Sequence, residues 1–414
     1  LNRFPHDSIR LLTRDEAIVR KYPEQAIYPK VYLERGLSPS PLAFVDLAAQ
    51  QDVIRPILEK NIHTVMHHGQ YIMGPEVREL EARLSEYVEV EHCISCASGT
   101  DALLMALMAL QIGPGDEVIT VPYTWISSAK VIALLRATPV FVDIQDDTFN
   151  IDPNLIESAI TPKTRAIMPV GIYGQCADMT RITALAATHG LPVIEDAAQC
   201  FGATHHGHKA GNLSLIGCTS FFPSKPLGCY GDGGAVFTPD KDLAEKLRQI
   251  RMHGQKVKHQ HPLVGINGRL DTLQAAILLE KLKCFPEEVQ LRAQIGKRYD
   301  ALLSGIPGIR TPRIAPDNTS VYAQYTIRAT DRETLSHTLK EQGIPSVAYY
   351  ITPLHLQGAF HNLGHQPGDF PVSEGVAADC LSLPMSAYLS EANQQRVADV
   401  IQRSVEQKVD VRTC

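Results

Sequence analysis

The stretch HCISCASGTDALLMALMALQIGPGDEVITVP, residues 92–122, decides the fold class. His92–Cys96 reads as a short strand, and Thr100–Leu110 as a helix stopped by Gly113-Pro114-Gly115. Glu117–Pro122 reads as a second strand, and the alternation then continues outward. Helices are expected at Ser127–Ala137, Asn154–Ile160 and Asp178–His189, with strands at Pro139–Asp143, Ala166–Val170 and Pro192–Asp196. Upstream, Val77, Leu80, Leu84 and Val88 fall at helical spacing within Pro75–Val88. Strands separated by helices of about ten residues predict a mostly parallel sheet covered by helices. In such sheets ligands gather beyond the carboxyl ends of the strands.

Beyond Phe237 the pattern changes. A long helical region is expected from Lys241 to Leu303, followed by a strand at Val321–Arg328 and a helix at Arg332–Gln342. A strand at Ser346–Tyr350 and a helix at Glu391–Gln407 complete a smaller α+β unit, entered through the Pro- and Gly-rich segment Gly305–Asp317. Residues 1–43 carry five prolines and one short possible helix at Arg14–Tyr22. The division expected is an extension over 1–43, a large α/β domain over 44–304 and a small α+β domain over 305–414.

A chain of 414 residues exceeds one ordinary core of about 100–200 residues. Its 44% apolar and 20% charged residues exclude wholesale disorder. The 39 basic and 45 acidic side chains give a net charge of −6, and no basic cluster points to nucleic acid as a partner. No apolar run approaches the roughly 18 residues that span a bilayer. His6, Asp7 and Arg10 interrupt any signal-peptide core, although the chain opens on Leu1. Nine scattered cysteines fit free thiols in a reducing cytoplasm. Cys93 and Cys96 lack the partners a structural zinc site needs, so no metal is expected. The histidines at 205, 206 and 208, and at 253, 259 and 261, are expected in solvated loops.

Four segments at strand ends carry the chemistry. Ala97-Ser98-Gly99-Thr100 opens a helix, where free N–H groups and the helix dipole suit a phosphate; an ordinary capping turn reads the same way. Glu195-Asp196-Ala197-Ala198-Gln199 ends a buried strand, so its carboxylates need a cationic partner or a proton; a helix-capping acid is the plainer alternative. A lysine in a loop is ordinarily a solvated surface residue, but Lys225 lies between Ser220-Phe221-Phe222-Pro223 and the glycine-rich return Gly228–Gly234, a setting that can lower the pKa of an amine and make it a nucleophile. Gly265-Ile266-Asn267-Gly268-Arg269 leads into an apolar helix and is well placed for a phosphate or carboxylate.

Together, and in this order, the four segments resemble the DegT–StrS family of pyridoxal-phosphate-dependent sugar aminotransferases, of fold type I. The resemblance runs from Phe44 to about Gln407, and Phe44–Gln51 with Cys229–Gly234 looks most like the branch acting on UDP-linked 3-keto-uronic acids. It implies a large domain with a seven-stranded sheet and a smaller C-terminal domain. Lys225 would form the Schiff base with the cofactor aldehyde and then shuttle the proton, and Asp196 would keep the pyridine nitrogen protonated. Gln199 would bond the phenolic oxygen, Gly99, Thr100 and Ser220 would bind the phosphate, and Trp125 would stack on the ring. Asn267 would reach the phosphate of a neighbouring subunit, implying a homodimer. Arg269 would meet an acidic group of a substrate.

The implied reaction has two halves. Glutamate converts pyridoxal 5'-phosphate to pyridoxamine phosphate, and a keto-sugar nucleotide then takes the amine, in surface polysaccharide (lipopolysaccharide, O-antigen) biosynthesis. Tyr350 and His355 match a substrate motif of the family, whereas Tyr349 stands where a histidine is common. A 4-keto-6-deoxy sugar nucleotide is the rival substrate, and a cofactor-binding regulator the non-enzyme rival. Lys225 argues against a deoxygenating relative that lacks this lysine.

Overall fold

The computed structural model describes residues 42–412. The proposed extension, including the helix expected at 14–22, lies outside the described residues apart from its last two positions. The first helix, α1 (Leu47–His68), is capped by Asp46, which accepts from Ala49 N at 3.0 Å, and ends at Gly69 with φ 70°. Next come α2 (Pro75–Val88), β1 (His92–Cys96), α3 (Gly99–Ala109), β2 (Glu117–Thr120), α4 (Ser127–Leu134) and β3 (Thr138–Phe141). A short helix, α5 (Pro153–Ile156), runs into one 3₁₀ turn at Glu157–Ala159 and leads to β4 (Thr164–Ile167), α6 (Met179–Thr188) and β5 (Ile194–Asp196). A small hairpin, β6 (Thr204–His205) and β7 (His208–Lys209), precedes β8 (Ile216–Ser220) and β9 (Gly234–Thr238).

Two sets of strands form the central sheet, in orders β3-β2-β4 and β5-β8-β9-β1. Parallel bridges Ile167↔Val193 and Val170↔Asp196 join them across β4 and β5, giving seven strands. The pairs β2–β3, β2–β4 and β5–β8 are parallel, while β9 runs antiparallel to both β8 and β1. Apolar side chains cover both faces, as a mostly parallel sheet requires. On one face Leu103, Met105 and Leu107 of α3 pack with Ile94, Val118 and Val236. On the other, Ile119, Ile167 and Val170 pack with Ile182 of α6.

The helical region expected over 241–303 is two helices, α7 (Lys241–Arg251) and α8 (Thr272–Leu303). Between them the backbone reverses at His253 (φ 62°) and Gly254 (φ 74°), and Met252 pairs with Asn267. Ala97 N donates to Gly268 O at 3.0 Å, so this excursion returns to the end of β1. Polar and glycine-rich sequence in 252–271 offers no continuous apolar stripe for a helix to bury.

The C-terminal segment contains β10 (Ile309–Arg310), β11 (Tyr325–Ala329), α9 (Arg332–Glu341), α10 (Pro371–Asp379), β12 (Cys380–Leu383) and α11 (Glu391–Arg412). Strands β10, β11 and β12 form a separate antiparallel sheet. The strand expected at Ser346–Tyr350 is not formed; Val347 makes one bridge to Ser382 and the chain then turns. The hydroxyl groups that capture the 349–350 backbone, described below, explain why it leaves the sheet. Tyr299 and Leu303 of α8 share a core with Tyr325, Leu339, Leu383 and Ile401, so the long helix supports both sheets.

Asp143, just past β3, ties α10 to the large sheet. Its carboxylate accepts from Val372 N (3.0 Å), Ser373 N (2.9 Å) and Ser373 Oγ (2.6 Å) at the start of that helix. These donors are the unpaired N–H groups of a helix N-terminus, and the acid is buried. Asp143→Ala is expected to cost about 2 kcal/mol, the upper range for a lost cap. A urea-denaturation midpoint unchanged from wild type would show that this anchor contributes nothing.

Candidate active site

Strands β5 and β8 pair with Asp196 opposite Cys218, and the chain emerges from both at the same edge. Asp196 is 5% exposed. Ser128 Oγ donates to its Oδ2 at 2.8 Å and Ala198 N to its Oδ1 at 3.1 Å. Burial pushes its pKa up, while Ser128, Ala198 and the charge of Lys225 pull it back toward the ionised form. Among the described residues no cation makes an ion pair with it at contact distance.

Lys225 lies in the turn after β8 that Lys225 N closes onto Phe222 O at 2.8 Å. Desolvation lowers its pKa, and the nearby Asp196 carboxylate and Cys200 oppose that shift. An amine held this way more readily presents its free lone pair as a nucleophile. Gln199 is buried, accepts from Tyr173 N at 3.1 Å and donates to the Tyr350 hydroxyl at 3.4 Å. The Tyr350 ring lies 6.1 Å from Trp125, whose indole is 56% exposed at the mouth of this group.

The phosphate-side candidates also converge. Ser98 caps α3 by accepting from Asp101 N at 3.0 Å. Thr100 Oγ1 meets Ser127 Oγ at 2.8 Å. A methyl group on Gly99 would sit 2.5 Å from Ser220 Cβ, so only glycine lets this turn approach β8. The group thus offers hydroxyls and a helix N-terminus at one side, and a buried carboxylate and an amine at the other. That donor set fits a molecule with an anionic phosphate, an aldehyde and a basic ring nitrogen, as in pyridoxal phosphate.

Asn267 and Arg269 sit apart. They line a cavity of about 560 Å³ with Ser98, Asp232, Asp271 and Gln274, which Lys225, Asp196 and Gln199 do not line. Asn267 is exposed, and Arg269 Nε is buried without a hydrogen-bond partner. His355 differs from its expected place in the substrate site. Its side chain has 0% exposure, Nε2 pairs with Glu374 at 3.1 Å, and Phe370 packs 4.7 Å from its ring. Such a ring presents no surface to a substrate; burial also lowers its pKa despite Glu374.

His205 likewise is not a solvated loop residue. Nδ1 meets Asn318 Oδ1 at 2.7 Å, and Nε2 meets Thr180 Oγ1 at 2.8 Å. Cys93 and Cys96 are free and buried in the sheet core. The sequence reading missed Ser127 and Ser128, an ordinary-looking pair at a helix start. It also missed Tyr123 and Tyr173, whose hydroxyls both donate to Tyr349 O. Their places at the ends of β2 and β4 are the only signal that could have marked them.

A helix-covered, mostly parallel sheet with an acid and a lysine at adjacent strand ends defines a fold type I enzyme. The model of the DegT/DnrJ/EryC1/StrS aminotransferase family matches residues 54–402, and the chain belongs to that family. It is 52% identical over 352 residues to the UDP-2-acetamido-2-deoxy-3-oxo-D-glucuronate aminotransferase of Pseudomonas aeruginosa, covering 85% of this chain and 97% of that protein. A crystal structure of a DegT DnrJ EryC1 StrS aminotransferase from Brucella abortus superposes with TM-score 0.85 at 44% identity, covering 88% of this chain and 99% of the other. The Bacillus subtilis protein NtdA, solved with bound cofactor PMP, gives TM-score 0.84 at 30% identity, with coverages of 90% and 87%.

Glu195 faces away from Asp196 on the same strand. Its Oε2 accepts from Gly211 N at 2.9 Å and Leu213 N at 3.3 Å, while Oε1 is buried and unpartnered. Burial raises its pKa to about 7. The unfolded state therefore binds fewer protons than the native state between the ordinary glutamate range and about pH 7, and stability falls as pH rises through that window. Glu195→Gln removes this titration. Its stability relative to wild type is expected to improve from pH 5 to pH 8 by about 2–3 kcal/mol. Parallel stability–pH curves for the two proteins would refute the assignment.

Proposed function

We propose that this chain moves an amino group from glutamate to a keto-sugar nucleotide, using pyridoxal 5'-phosphate with pyridoxamine phosphate as its second form. The acceptor is carbon 3 of a UDP-linked 3-keto-uronic acid, UDP-2-acetamido-2-deoxy-3-oxo-glucuronate, in surface polysaccharide biosynthesis. The observation that carries this reading is Lys225 within electrostatic reach of the buried Asp196 at adjacent strand ends. The 52% identity to a glucuronate aminotransferase supports the sugar. The free thiols and a nucleotide-sugar substrate support a cytoplasmic location.

When bound, the cofactor supplies an electron sink through its protonated ring. Asp196 holds the proton on the ring nitrogen because a buried carboxylate gains most from a cationic partner. Lys225 Nζ serves as covalent attachment point and, once free, takes and returns the proton of the reacting carbon. Gln199 Nε2 orients the phenolic oxygen, and Trp125 covers the ring. Gly99 N–H, Thr100 Oγ1 and Ser220 Oγ hold the phosphate. Tyr350 borders the substrate, and His355 supports that segment from behind.

Asn267 is exposed on a loop that Lys225 and Asp196 do not share, which suits a contribution to a second subunit's phosphate. We therefore take the enzyme to be a homodimer with active sites at the subunit interface. Arg269, with Nε free of a partner, is the candidate for a substrate carboxylate. Residues 44–304 and 305–414 are taken as the large and small domains.

The test is the visible spectrum of the purified protein. Glutamate is expected to bleach the bound cofactor's colour, and a UDP-3-keto-uronic acid to restore it. Recovery only with a 4-keto-6-deoxy sugar nucleotide would move the substrate, and no colour after added cofactor would sink the enzyme reading. Lys225→Ala is expected to lose turnover and the visible band while remaining folded; undiminished turnover would remove the central assignment. Asn267→Ala is expected to release pyridoxal phosphate at least about tenfold more readily, a loss of about 1.4 kcal/mol. Equal retention by equilibrium dialysis would dismiss the intersubunit contact.

A further inference from the structure

Trp125, Ser127 and Ser128 fall within four consecutive positions at the entry to α4, each with a different task. Ser127 and Ser128 are 6% and 1% exposed, and their hydroxyls diverge. Ser127 Oγ meets Thr100 Oγ1 at 2.8 Å on the phosphate side, whereas Ser128 Oγ reaches Asp196 Oδ2 at 2.8 Å. Ala198 N takes the other carboxylate oxygen at 3.1 Å. One donor on each oxygen fixes the plane of the carboxylate, and both belong to elements that cannot easily shift: β5's own continuation and a packed helix.

Resting on the cofactor reading above, we propose that Ser128 is a positioning residue: its hydroxyl turns the Asp196 carboxylate toward the cofactor's ring nitrogen and keeps it ionised there. Ser127 links the same helix start to the phosphate-binding turn, so one dipeptide sets the separation between the two ends of the cofactor cradle. The hydroxyl is needed because the other surroundings of Asp196 are mixed. Lys225 favours the charged form, Glu195 bears a like charge when ionised, and Cys200, Cys218 and Tyr350 face the carboxylate as neutral groups. Burial outweighs these influences in the direction of protonation. A hydrogen bond to the charged form opposes it directly.

The experiment measures pyridoxal phosphate retention by the holoenzyme, by equilibrium dialysis and visible absorption, across a pH series. Retention weakens on the acid side when Asp196 takes a proton. In Ser128→Ala the donor to the ionised form is gone, Asp196 protonates at higher pH, and the acid limb is expected to move up by about one pH unit. Ser128→Thr, which keeps the hydroxyl, is expected to return the limb toward wild type. Ser127→Ala is expected to weaken retention at every pH without moving the limb.

A Ser128→Ala limb that coincides with wild type overturns the proposal, even if retention is weaker, because a merely structural serine would not shift a titration. A limb that moves and is not restored by Ser128→Thr also overturns it. Should the alanine chain fail to fold, Ser128→Cys, similar in size and a weak donor, is read in the same way. Wild-type protein that takes up no pyridoxal phosphate at any pH removes the cofactor reading along with the proposal. Coincident limbs with normal wild-type uptake remove the proposal alone.

Discussion

A carboxylate at the end of a buried strand has few stable arrangements. Asp196 cannot be hydrated where β5 delivers it, so it must gain donors, a cation or a proton. The chain supplies two donors from neighbouring segments and a lysine that does not close an ion pair. That leaves the acid under-compensated, and burial keeps its pKa above the ordinary carboxylate range. A cationic partner would complete the set. The packing of α4 against the sheet and the turn of Lys225 after β8 are both arranged around this charge.

The opposite end of the site rests on steric constraint. Gly234 of β9 stands in register with Ser220 on one side and Cys96 on the other. A side chain there would strike Ser98 O at 2.5 Å, just as one on Gly99 would strike Ser220. Two missing Cβ atoms therefore bring the start of α3 against the end of β8. A helix N-terminus with its free N–H groups is pressed beside a serine hydroxyl, as an anion site needs. Antiparallel β9 makes this possible, because its first residue, where the Lys225 loop re-enters the sheet, stands between the last residues of β1 and β8.

The alternation of strand and helix from His92 to Asp196 was legible because local periodicity and buried packing agree there. Asp196 and Lys225 drew attention for a related reason, each being an odd residue type for its place, and the structure brings the two within electrostatic reach. What stayed hidden depended on contacts distant in sequence. Ser128 and Asp196 are 68 positions apart, and nothing in a Ser-Ser pair at a helix start announces a buried carboxylate. His355 carries a substrate motif by resemblance, yet Glu374 and Phe370 draw it into the interior. The break at 252–271 was missed because helices flank it on both sides, while the reversal hangs on His253 and Gly254 at positive φ.

The substitution of tyrosine for histidine at 349 acquires a physical reading from the hydroxyls beneath it. Tyr123 OH donates to Tyr349 O at 2.7 Å and accepts from Tyr350 N at 3.1 Å, and Tyr173 OH converges on the same carbonyl. Tyr123 is fully buried and Tyr173 nearly so, both in the segments that follow large-sheet strands β2 and β4. The backbone of 349–350 is thus held by the large sheet whatever ring position 349 carries. Tyr350 keeps its hydroxyl against Gln199, next to the cofactor cradle. Tyr349 itself is half-buried, with its ring 5.6 Å from that of Tyr350 and 6.1 Å from that of Phe44. A change from imidazole to phenol there leaves the backbone clamp and the Gln199–Tyr350 contact in place. The backbone clamp at 349–350 and the ring at 349 are therefore separable: Tyr123 and Tyr173 hold the first, and the second is free to vary without loosening it.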